Sequence, residues 1–426
     1  MLVGTIGVII MLIMAVMGVP VAIALLLVGA VGLISLIGLE QTLACSAPMF
    51  YNYVSNYSFS VIPMFILMGS IGYHSNLFSD IFDAARKWCG KLPAGLAISV
   101  VIAQTIFGAC SGSTVAACAV IGQSAIPTMR KMGYPDTLTT GVVAGSGTLA
   151  ALIPPSITMC VYGLIVDESI GKLLIAGILP GAVTAIIYVV MLLIQSRKIP
   201  RDHETFTFKE KLYTLRYLWV VVALIIAIIG GIYGGVCTPT EGGAFGAFVV
   251  FLLALFSRRL NWNVLWQSLR TTVITTGMIL IIIVAAMLFA RFLTLSGFSR
   301  GLTEAIIGLH APALVTFLIV AAVYLVLGCF VGSTGMMVMT LPMFYPMMME
   351  LGFDSLWFGV VVVMFCEMAY ETPPVGVNLF ATKSVAGDIP LSTIIRGTIP
   401  FVIRDLMAVG VIYLIPQIVT FLPSLM

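Results

Sequence analysis

The sequence predicts an all-α polytopic membrane protein built from two inverted repeats. The 426 residues are 61% hydrophobic and only 9% charged, with a mean hydropathy of +1.16, whereas soluble domains carry about 25% charged residues. One pattern of glycine, hydroxyl and proline residues occurs twice, about 220 residues apart. Basic residues also collect in alternate loops between the apolar runs, as expected for spans of opposite direction. Each repeat is predicted to hold about five spans, a re-entrant helical hairpin and a broken helix.

The first repeat covers residues 1–196 and begins with two apolar runs that meet at Pro20. Proline removes a backbone donor and clashes with the preceding turn, so these runs predict a hairpin of two spans. Residues 39–58 contain no Lys or Arg and are predicted to be a loop before a third span at 59–73. Charged and apolar side chains at helical spacing over 76–93 predict a helix that lies along the membrane surface.

Two interrupted apolar stretches follow. Residues 94–130 contain GACSGST in the middle and predict a re-entrant hairpin. Residues 138–166 contain GSGT and then Pro154-Pro155, which predict a broken helix. Irregular backbone at membrane depth is tolerated only where it is buried in protein or lines a cavity. An uninterrupted span at 173–194 is predicted to complete the repeat.

The second repeat, residues 217–426, shows the same order after a polar connector at 197–216. Its hairpin is predicted at about 312–349 and its broken helix at about 356–381, before a last helix at about 399–422. The recurring residues are Gly108, Gly112, Ser113 and Thr114 with Gly328, Gly332, Ser333 and Thr334, then Pro127, Gly133, Pro154 and Pro155 with Pro346, Gly352, Pro373 and Pro374. Matching interruptions in two halves indicate the binding site of a transporter.

The distribution of Lys and Arg predicts the orientation. The connector holds six basic residues and is therefore assigned to the cytoplasm. Loops on the opposite side keep only Lys172 and Arg300. An odd number of spans separates matching points of the two halves, so the repeats point in opposite directions and both termini lie outside.

The hairpin tips combine glycine with hydroxyl side chains. Unwound carbonyls and hydroxyls are hard oxygen ligands that suit Na⁺, while the N-termini of half-helices suit a substrate carboxylate. The alternative is that small residues only allow close helix packing. For one isolated motif that alternative is favoured, but two copies in register, each followed by Pro-Pro, favour a binding site.

Carboxylates inside membrane spans are rare and usually functional. Glu367 and Glu371 lie four residues apart on one helical face and could hold a cation or carry a proton. A purely structural hydrogen-bonding role is the alternative. Glu241 is predicted to cap a helix that follows Thr238. Arg291 and Arg404 are predicted to need polar partners, which the sequence does not name.

Several function classes are disfavoured. The sequence contains no phosphate loop, GxSxG or HExxH motif, and its His and Cys residues lack metal-ligand spacing. We therefore expect no enzyme activity, no ATP hydrolysis, no organic cofactor and no nucleic-acid partner. A channel is also disfavoured, because two inverted repeats with broken helices suit alternating access.

The motifs GACSGSTVAACAVIGQSAIP, CTPTEGGAFGA and ETPPVGVNLF, together with residues 145–155, resemble a known family. The chain resembles the large membrane subunit of tripartite ATP-independent periplasmic (TRAP) transporters, within the ion-transporter superfamily. The resemblance implies a scaffold with a moving transport domain, an elevator motion and Na⁺-coupled import of an organic acid across the bacterial inner membrane. It also implies two partners: a periplasmic substrate-binding protein and a small four-helix membrane subunit, here expected as a separate chain.

The resemblance also implies about two Na⁺ sites and a substrate site. The first Na⁺ site would use Ser111, Gly112, Ser113, Gly145 and Thr148. The second would use Gly332, Ser333, Glu367 and Thr372. Substrate would lie between the tips, near Ser113, Pro155, Ser333 and Asn378. Sialic acid is the favoured substrate and a C4-dicarboxylate the next; a stand-alone Na⁺/carboxylate symporter that needs no binding protein is the alternative.

Overall fold

The computed structural model describes residues 1–78, 80–195, 206–308, 312–373 and 376–426. Every regular element in these ranges is helical, which confirms the all-α prediction. Twelve α-helices precede residue 196: α1 Leu2–Val16, α2 Val21–Ile37, α3 Leu39–Ser55, α4 Val61–His74, α5 Ile81–Cys89, α6 Gly95–Ser111, α7 Thr114–Lys131, α8 Asp136–Ser146, α9 Leu149–Leu152, α10 Ile157–Val166, α11 Ile170–Ala176 and α12 Ile178–Gln195.

Ten more helices follow residue 205 in the described chain. They are α13 Phe208–Tyr233, α14 Pro239–Phe256, α15 Trp262–Leu295, α16 Phe298–Gly308, α17 Ala313–Gly328, α18 Ser333–Glu350, α19 Ser355–Glu371, α20 Val377–Val385, α21 Leu391–Leu414 and α22 Gln417–Thr420. Some helix bounds recur between the two halves. Helices α8 and α9 together cover residues 136–152, and α19 begins and ends 219 residues later.

Local sequence explains where the helices begin. The side chains of Thr207 and Thr238 each accept the backbone N–H of the glutamate three residues on, and that glutamate's carboxylate accepts the threonine's own N–H. Helices α13 and α14 therefore both start with capping boxes. The predicted cap by Glu241 is thus confirmed. Asn261 caps α15 with a single bond, its side-chain oxygen accepting the Val264 N–H at 2.8 Å.

Four helices in the described chain are long and apolar enough to cross a membrane: 170–195 (α11 with α12), α14, α15 and α21. Two bent pairs also pass as broken spans or re-entrant loops, α3 with α4 at 48° and 136–152 with α10 at 44°. A bilayer core about 30 Å thick needs about 20 helical residues. Length and composition therefore indicate a multi-pass membrane protein.

The helices pack as two neighbouring groups. One group holds α2, α4, α14 and α15, with α15 lying along both α2 and α4. The other holds the two hairpins and the two broken helices, with α8 lying along α21. A side chain at Gly141 would overlap the Gly397 backbone, and one at Gly145 would overlap Phe401. These glycines allow α8 and α21 to cross backbone to backbone.

The structure corrects several predicted boundaries. Residues 39–55 form helix α3 instead of a loop. This segment has low hydropathy and contains Pro48, so its apolar pattern does not indicate a helix. The connector is also partly helical, because α13 begins at Phe208; residues 197–205 lie outside the described chain. The last long helix, α21, begins at Leu391 and ends at Leu414, earlier than the predicted 399–422.

Candidate functional site

The first hairpin tip joins α6 to α7 through a left-handed glycine. Gly112 has φ +59° and donates its N–H to the Gly108 carbonyl at 2.8 Å. Ser113 then caps α7 by accepting the Ala116 N–H at 3.3 Å, and its own N–H lies 3.4 Å from the Ser111 hydroxyl. The tip therefore places the Ser111 and Ser113 hydroxyls where two half-helices meet.

The first helix break lies directly against this tip. Its Thr148 hydroxyl lies 2.9 Å from the Gly145 carbonyl, an acceptor for its hydrogen. Ile153 is extended, the Pro154-Pro155 peptide is cis, and Ser156 caps α10. A Cβ on Gly112 would lie only 2.7 Å from the Pro155 carbonyl oxygen. The structure thus brings the predicted residues Gly112 and Pro155 together.

The second tip and break are similar in sequence, but Gly332 is less enclosed than Gly112. Helix α17 ends at Gly328, and Gly332 precedes α18 with φ −64° and nothing within 4 Å of an added Cβ. Ser333 is buried and interacts with the Tyr370 hydroxyl. Thr372, where α19 ends, donates its hydroxyl to the Met368 carbonyl at 2.7 Å. Pro374 lies outside the described residues.

Equivalent glycine contacts join each hairpin to its break. A Cβ at Gly108 would overlap the backbone of Ala150. A Cβ at Gly328 would lie 3.1 Å from the Ala369 Cα. Ala369 follows Ala150 by 219 residues, so the two halves use the same small-residue contact.

Glu367, predicted for the second Na⁺ site, contacts residues of the first half. It is 1% exposed, and its Oε1 lies 3.3 Å from the Thr158 hydroxyl on α10. Thr114, at the start of α7, also interacts with this carboxylate. Its hydroxyl contacts therefore come from the first hairpin and first break, whereas Gly332 and Ser333 belong to the second tip.

Asn378 lies on the side of α20 that faces the first break. It is fully buried, and its Nδ2 would be 3.3 Å from a Cβ on Gly147. Neither amide atom has a hydrogen-bond partner in the described chain. A buried amide without partners is costly, so this side chain is a candidate for binding a polar ligand.

A cavity of about 300 Å³ lies between the two helix groups. Ser111, Ser113 and Ile157 line it from the first hairpin and first break, and His74 and Thr271 line it from α4 and α15. Volumes from about 300 Å³ are typical of small-molecule sites. Among the predicted substrate residues, Ser113 faces this cavity directly.

Sequence reasoning missed three polar residues of this region. Tyr188 on α12 donates a short hydrogen bond to Asp405 Oδ1 and lies 3.3 Å from the Thr148 hydroxyl. Thr158 reaches Glu367. Asp405 was detectable, because it is another carboxylate in an apolar helix.

Arg404 donates to Gln195 Oε1 at 3.0 Å and stacks on Phe401, so part of its predicted need for partners is met. Arg291 is exposed.

Within the described residues, no three His, Cys, Asp or Glu side chains are grouped as in a transition-metal site. The oxygens around the first tip and break are hydroxyls, carbonyls and single carboxylates. Such hard, mostly neutral donors are the type that alkali and alkaline-earth cations bind.

Comparison with known proteins agrees with this architecture. Residues 8–418 match the family described as "Tripartite ATP-independent periplasmic transporter, DctM component". The C4-dicarboxylate TRAP transporter large permease protein DctM of Pseudomonas aeruginosa is 36% identical over 87% of each chain. The sialic acid TRAP transporter large permease protein SiaM of Vibrio cholerae is 27% identical over 87% of each chain.

A solved structure shares the fold. The YdaH transporter of Alcanivorax borkumensis superposes with a TM-score of 0.65 at 14% identity, over 95% of this chain and 97% of that one. The family match and the DctM relative each cover most of the chain, and both name transport components, not enzymes. The chain therefore belongs to the DctM component family, the large permeases of tripartite ATP-independent periplasmic transporters.

Proposed function

We propose that this permease imports a small organic acid together with Na⁺ across the bacterial inner membrane. A periplasmic binding protein delivers the substrate, and a separate small four-helix membrane subunit completes the transporter. The observation that carries the proposal is the close contact between an oxygen-rich hairpin tip and a broken helix beside a 300 Å³ cavity. Broken helices at a repeat interface are the usual sites of substrate and coupling ions in secondary transporters.

The first Na⁺ site is proposed at the first tip and break. Thr148 supplies a hydroxyl oxygen, and the Gly145 carbonyl lies 2.9 Å from it. Ser111, Gly112 and Ser113 supply the facing oxygens of the tip. Na⁺ at this position would also hold the tip against Pro155, as a contact between two half-helices.

The second Na⁺ site is proposed at Gly332, Ser333 and Thr372, with Glu367 as the charged member. The placement of Glu367 beside Thr114 and Thr158 supports a wider role for this carboxylate. It links the second broken helix to the first hairpin. We therefore expect a cation at either site to affect the packing of both halves.

The recurrence of helix bounds at 219 residues supports an inverted repeat, and the two packing groups support an elevator motion. In this proposal α2, α4, α14 and α15 form the scaffold, while the hairpins and broken helices form the moving domain. The cavity lies at the border between them, so movement of one group past the other would carry bound substrate.

The substrate is proposed to be a carboxylate that contacts Ser113 and Ser333, with Pro155 and Asn378 beside it. The resemblance favours sialic acid, whereas the 36% identity to a C4-dicarboxylate permease favours the smaller acid. Both compounds carry the carboxylate that free N–H groups at half-helix ends attract.

The test is uptake of each labelled acid into proteoliposomes that contain the permease with its small subunit. An inward Na⁺ gradient and the cognate binding protein are each supplied or omitted. Uptake that needs both is expected. Na⁺-driven uptake without the binding protein would instead support the stand-alone symporter, and Na⁺-independent uptake would refute coupling.

A matched pair of variants tests the first Na⁺ site. Thr148→Val removes the hydroxyl at the break and should raise the Na⁺ concentration for half-maximal uptake about tenfold, equivalent to roughly 1.4 kcal/mol. Thr184→Val removes another fully buried hydroxyl, which donates to the Pro180 carbonyl of the same helix at 2.9 Å. It should leave the Na⁺ dependence unchanged. Equal effects of the two variants would argue against Thr148 as a ligand.

A further inference from the structure

His74 has no role in the proposed Na⁺ and substrate sites, yet it lines the cavity between the two helix groups. It is the last residue of α4, is half-buried and shares the 300 Å³ cavity with Ser111 and Ser113. The same side chain lines a second cavity of about 360 Å³. Tyr73 and Ala119 also line both cavities, so the two spaces adjoin beside the imidazole. A ligand in either space can therefore reach this ring.

The contacts of the imidazole determine which ring nitrogen carries the hydrogen. Nδ1 of His74 lies 2.9 Å from the Ser70 carbonyl oxygen, which can only accept a hydrogen bond. Nδ1 therefore carries a hydrogen, and the Ser70 hydroxyl at 3.3 Å is a more distant partner. The Tyr73 ring packs edge-on against the imidazole, with 4.9 Å between ring centroids. These contacts select one tautomer and one ring position.

The acceptor for Nδ1 belongs to a contact between two helices of the same group. Ser70 on α4 and Ser268 on α15 are both buried. The hydroxyl of each lies 3.3 Å from the carbonyl oxygen of the other. Helices α4 and α15 are thus joined at the residue that holds the imidazole, which fixes the ring relative to both helices.

Nε2 of His74 remains available to a ligand. In the described chain the ring makes its hydrogen bonds through Nδ1 alone. When one nitrogen of a neutral imidazole carries a hydrogen, the other nitrogen is an acceptor. Such an acceptor pairs with a hydroxyl or amide hydrogen, whereas a carboxylate has no hydrogen to donate. The ring therefore suits the part of a substrate that carries a hydrogen-bond donor.

The hairpin tip lies at a matching distance from His74. Helix α4 approaches the tip at Gly69, where an added Cβ would lie 2.5 Å from the Ser111 carbonyl oxygen. His74 follows Gly69 by five residues, which corresponds to about 7.5 Å along a helix. A small acid with its carboxylate at Ser113 would therefore extend toward the imidazole with its other end.

We propose that His74 is a specificity-determining residue whose Nε2 accepts a hydrogen bond from a hydroxyl or amide group of the transported acid. This role rests on the proposed function, which places the substrate carboxylate at Ser113. It assigns the substrate to the acids that carry a hydrogen-bond donor. Hydroxy acids and sialic acid meet this condition, whereas an unsubstituted dicarboxylate does not.

The first test compares acids on the wild type. The thermal unfolding midpoint of the permease with its small subunit, in lipid nanodiscs, is measured at increasing concentrations of each acid. Succinate and L-malate form a matched pair that differs by one hydroxyl, and sialic acid is a larger acid with several. The tighter-binding hydroxylated acid should bind about tenfold more tightly than succinate. Succinate that binds as tightly as the better of the two would overturn the proposal.

Two variants then assign the preference to the imidazole. His74→Phe keeps a ring but removes the acceptor, so binding of the hydroxylated acid should weaken about tenfold while binding of succinate stays unchanged. His74→Gln supplies an amide oxygen as a replacement acceptor and should keep the preference. An equal loss for all acids in His74→Phe would indicate a structural role or a contact with the carboxylate, and would overturn the proposal.

A substrate-free measurement tests the tautomer. The chain has three histidines, so ¹⁵N NMR of labelled imidazoles is simple to assign, with His74→Phe identifying the signal. At about pH 8 an ordinary imidazole is neutral, and the hydrogen should be found on Nδ1. A hydrogen on Nε2 would contradict the proposed acceptor.

Repeating the binding series with Na⁺ or choline separates this inference from the proposed function. Binding that does not depend on Na⁺ would refute the coupling, while a hydroxyl preference that requires His74 would still support the specificity role. Binding of none of the three acids would overturn both the specificity role and the proposed substrate site.

Discussion

Gly112 and Gly332 occupy matching positions in the two hairpin tips, but their surroundings differ. Gly112 has φ +59°, and an added Cβ would lie 2.7 Å from the Pro155 carbonyl oxygen. Ordinary contacts begin near 3.4 Å, so the tip and the break must separate by about 0.7 Å. Gly332 has φ −64° and nothing within 4 Å of the added atom.

The expected costs follow from these two geometries. For Gly112→Ala, the left-handed backbone costs about 1–2 kcal/mol and overpacking about 1–3 kcal/mol. The free energy of unfolding should therefore fall by roughly 2–5 kcal/mol. Gly332→Ala meets neither penalty and should change stability by no more than about 0.5 kcal/mol.

Thermal unfolding in one detergent at one scan rate measures the difference. At the unfolding entropy usual for globular proteins, Gly112→Ala should lower the midpoint by about 2–6 °C. Gly332→Ala serves as the matched control. Equal midpoints for the two variants, or a larger loss in Gly332→Ala, would refute the contact between the first tip and Pro155.

Three further predictions concern other parts of the chain. Thr158→Val should destabilise the protein by about 1–3 kcal/mol, because buried Glu367 loses a hydroxyl partner; calorimetry should find no such loss if the contact is absent. Hydrogen bonds from Arg130 hold the pKa of Asp388 below its ordinary value. The contribution of these bonds to stability is therefore complete above the ordinary pKa of Asp and is lost as the pH falls through the lowered pKa of Asp388. In Asp388→Asn the unfolding midpoint should therefore fall less steeply at acid pH than in the wild type. Lys209→Cys should react with a membrane-impermeant thiol reagent only from the cytoplasmic side, and labelling from outside would reverse the topology.

Much of the fold could be predicted because the decisive signals are local. The GACSGST break and the Pro-Pro pair interrupt apolar runs, and the structure has helix ends at these positions. Helix α3 was missed because its residues are only weakly apolar and include Pro48. A weakly apolar segment can be helical when it packs on neighbours, as α3 does on α2 and α15.

The site was harder to predict because its contacts join distant parts of the sequence. Spacing placed Glu367 and Glu371 on one helical face, yet their environments differ. Glu367 reaches Thr158, 209 residues away, whereas Glu371 interacts with Asp405 on another helix. No pattern within one segment reveals such pairs, since they depend on how α19 is rotated against α10 and α21.

The crossing of α8 and α21 limits how this protein can move. Gly141 meets Gly397, and four residues further along both helices Gly145 receives the ring of Phe401. Sliding α21 forward by one turn would drive that ring onto Leu149, which has a bulky side chain. Sliding it back would bring the ring to Gly141, where the two backbones are already in contact. Because Gly141 packs on Gly397 and Gly145 packs on Phe401, the two helices resist sliding along their axes. In the elevator motion proposed above, the first helix break and α21 would therefore move together as one unit.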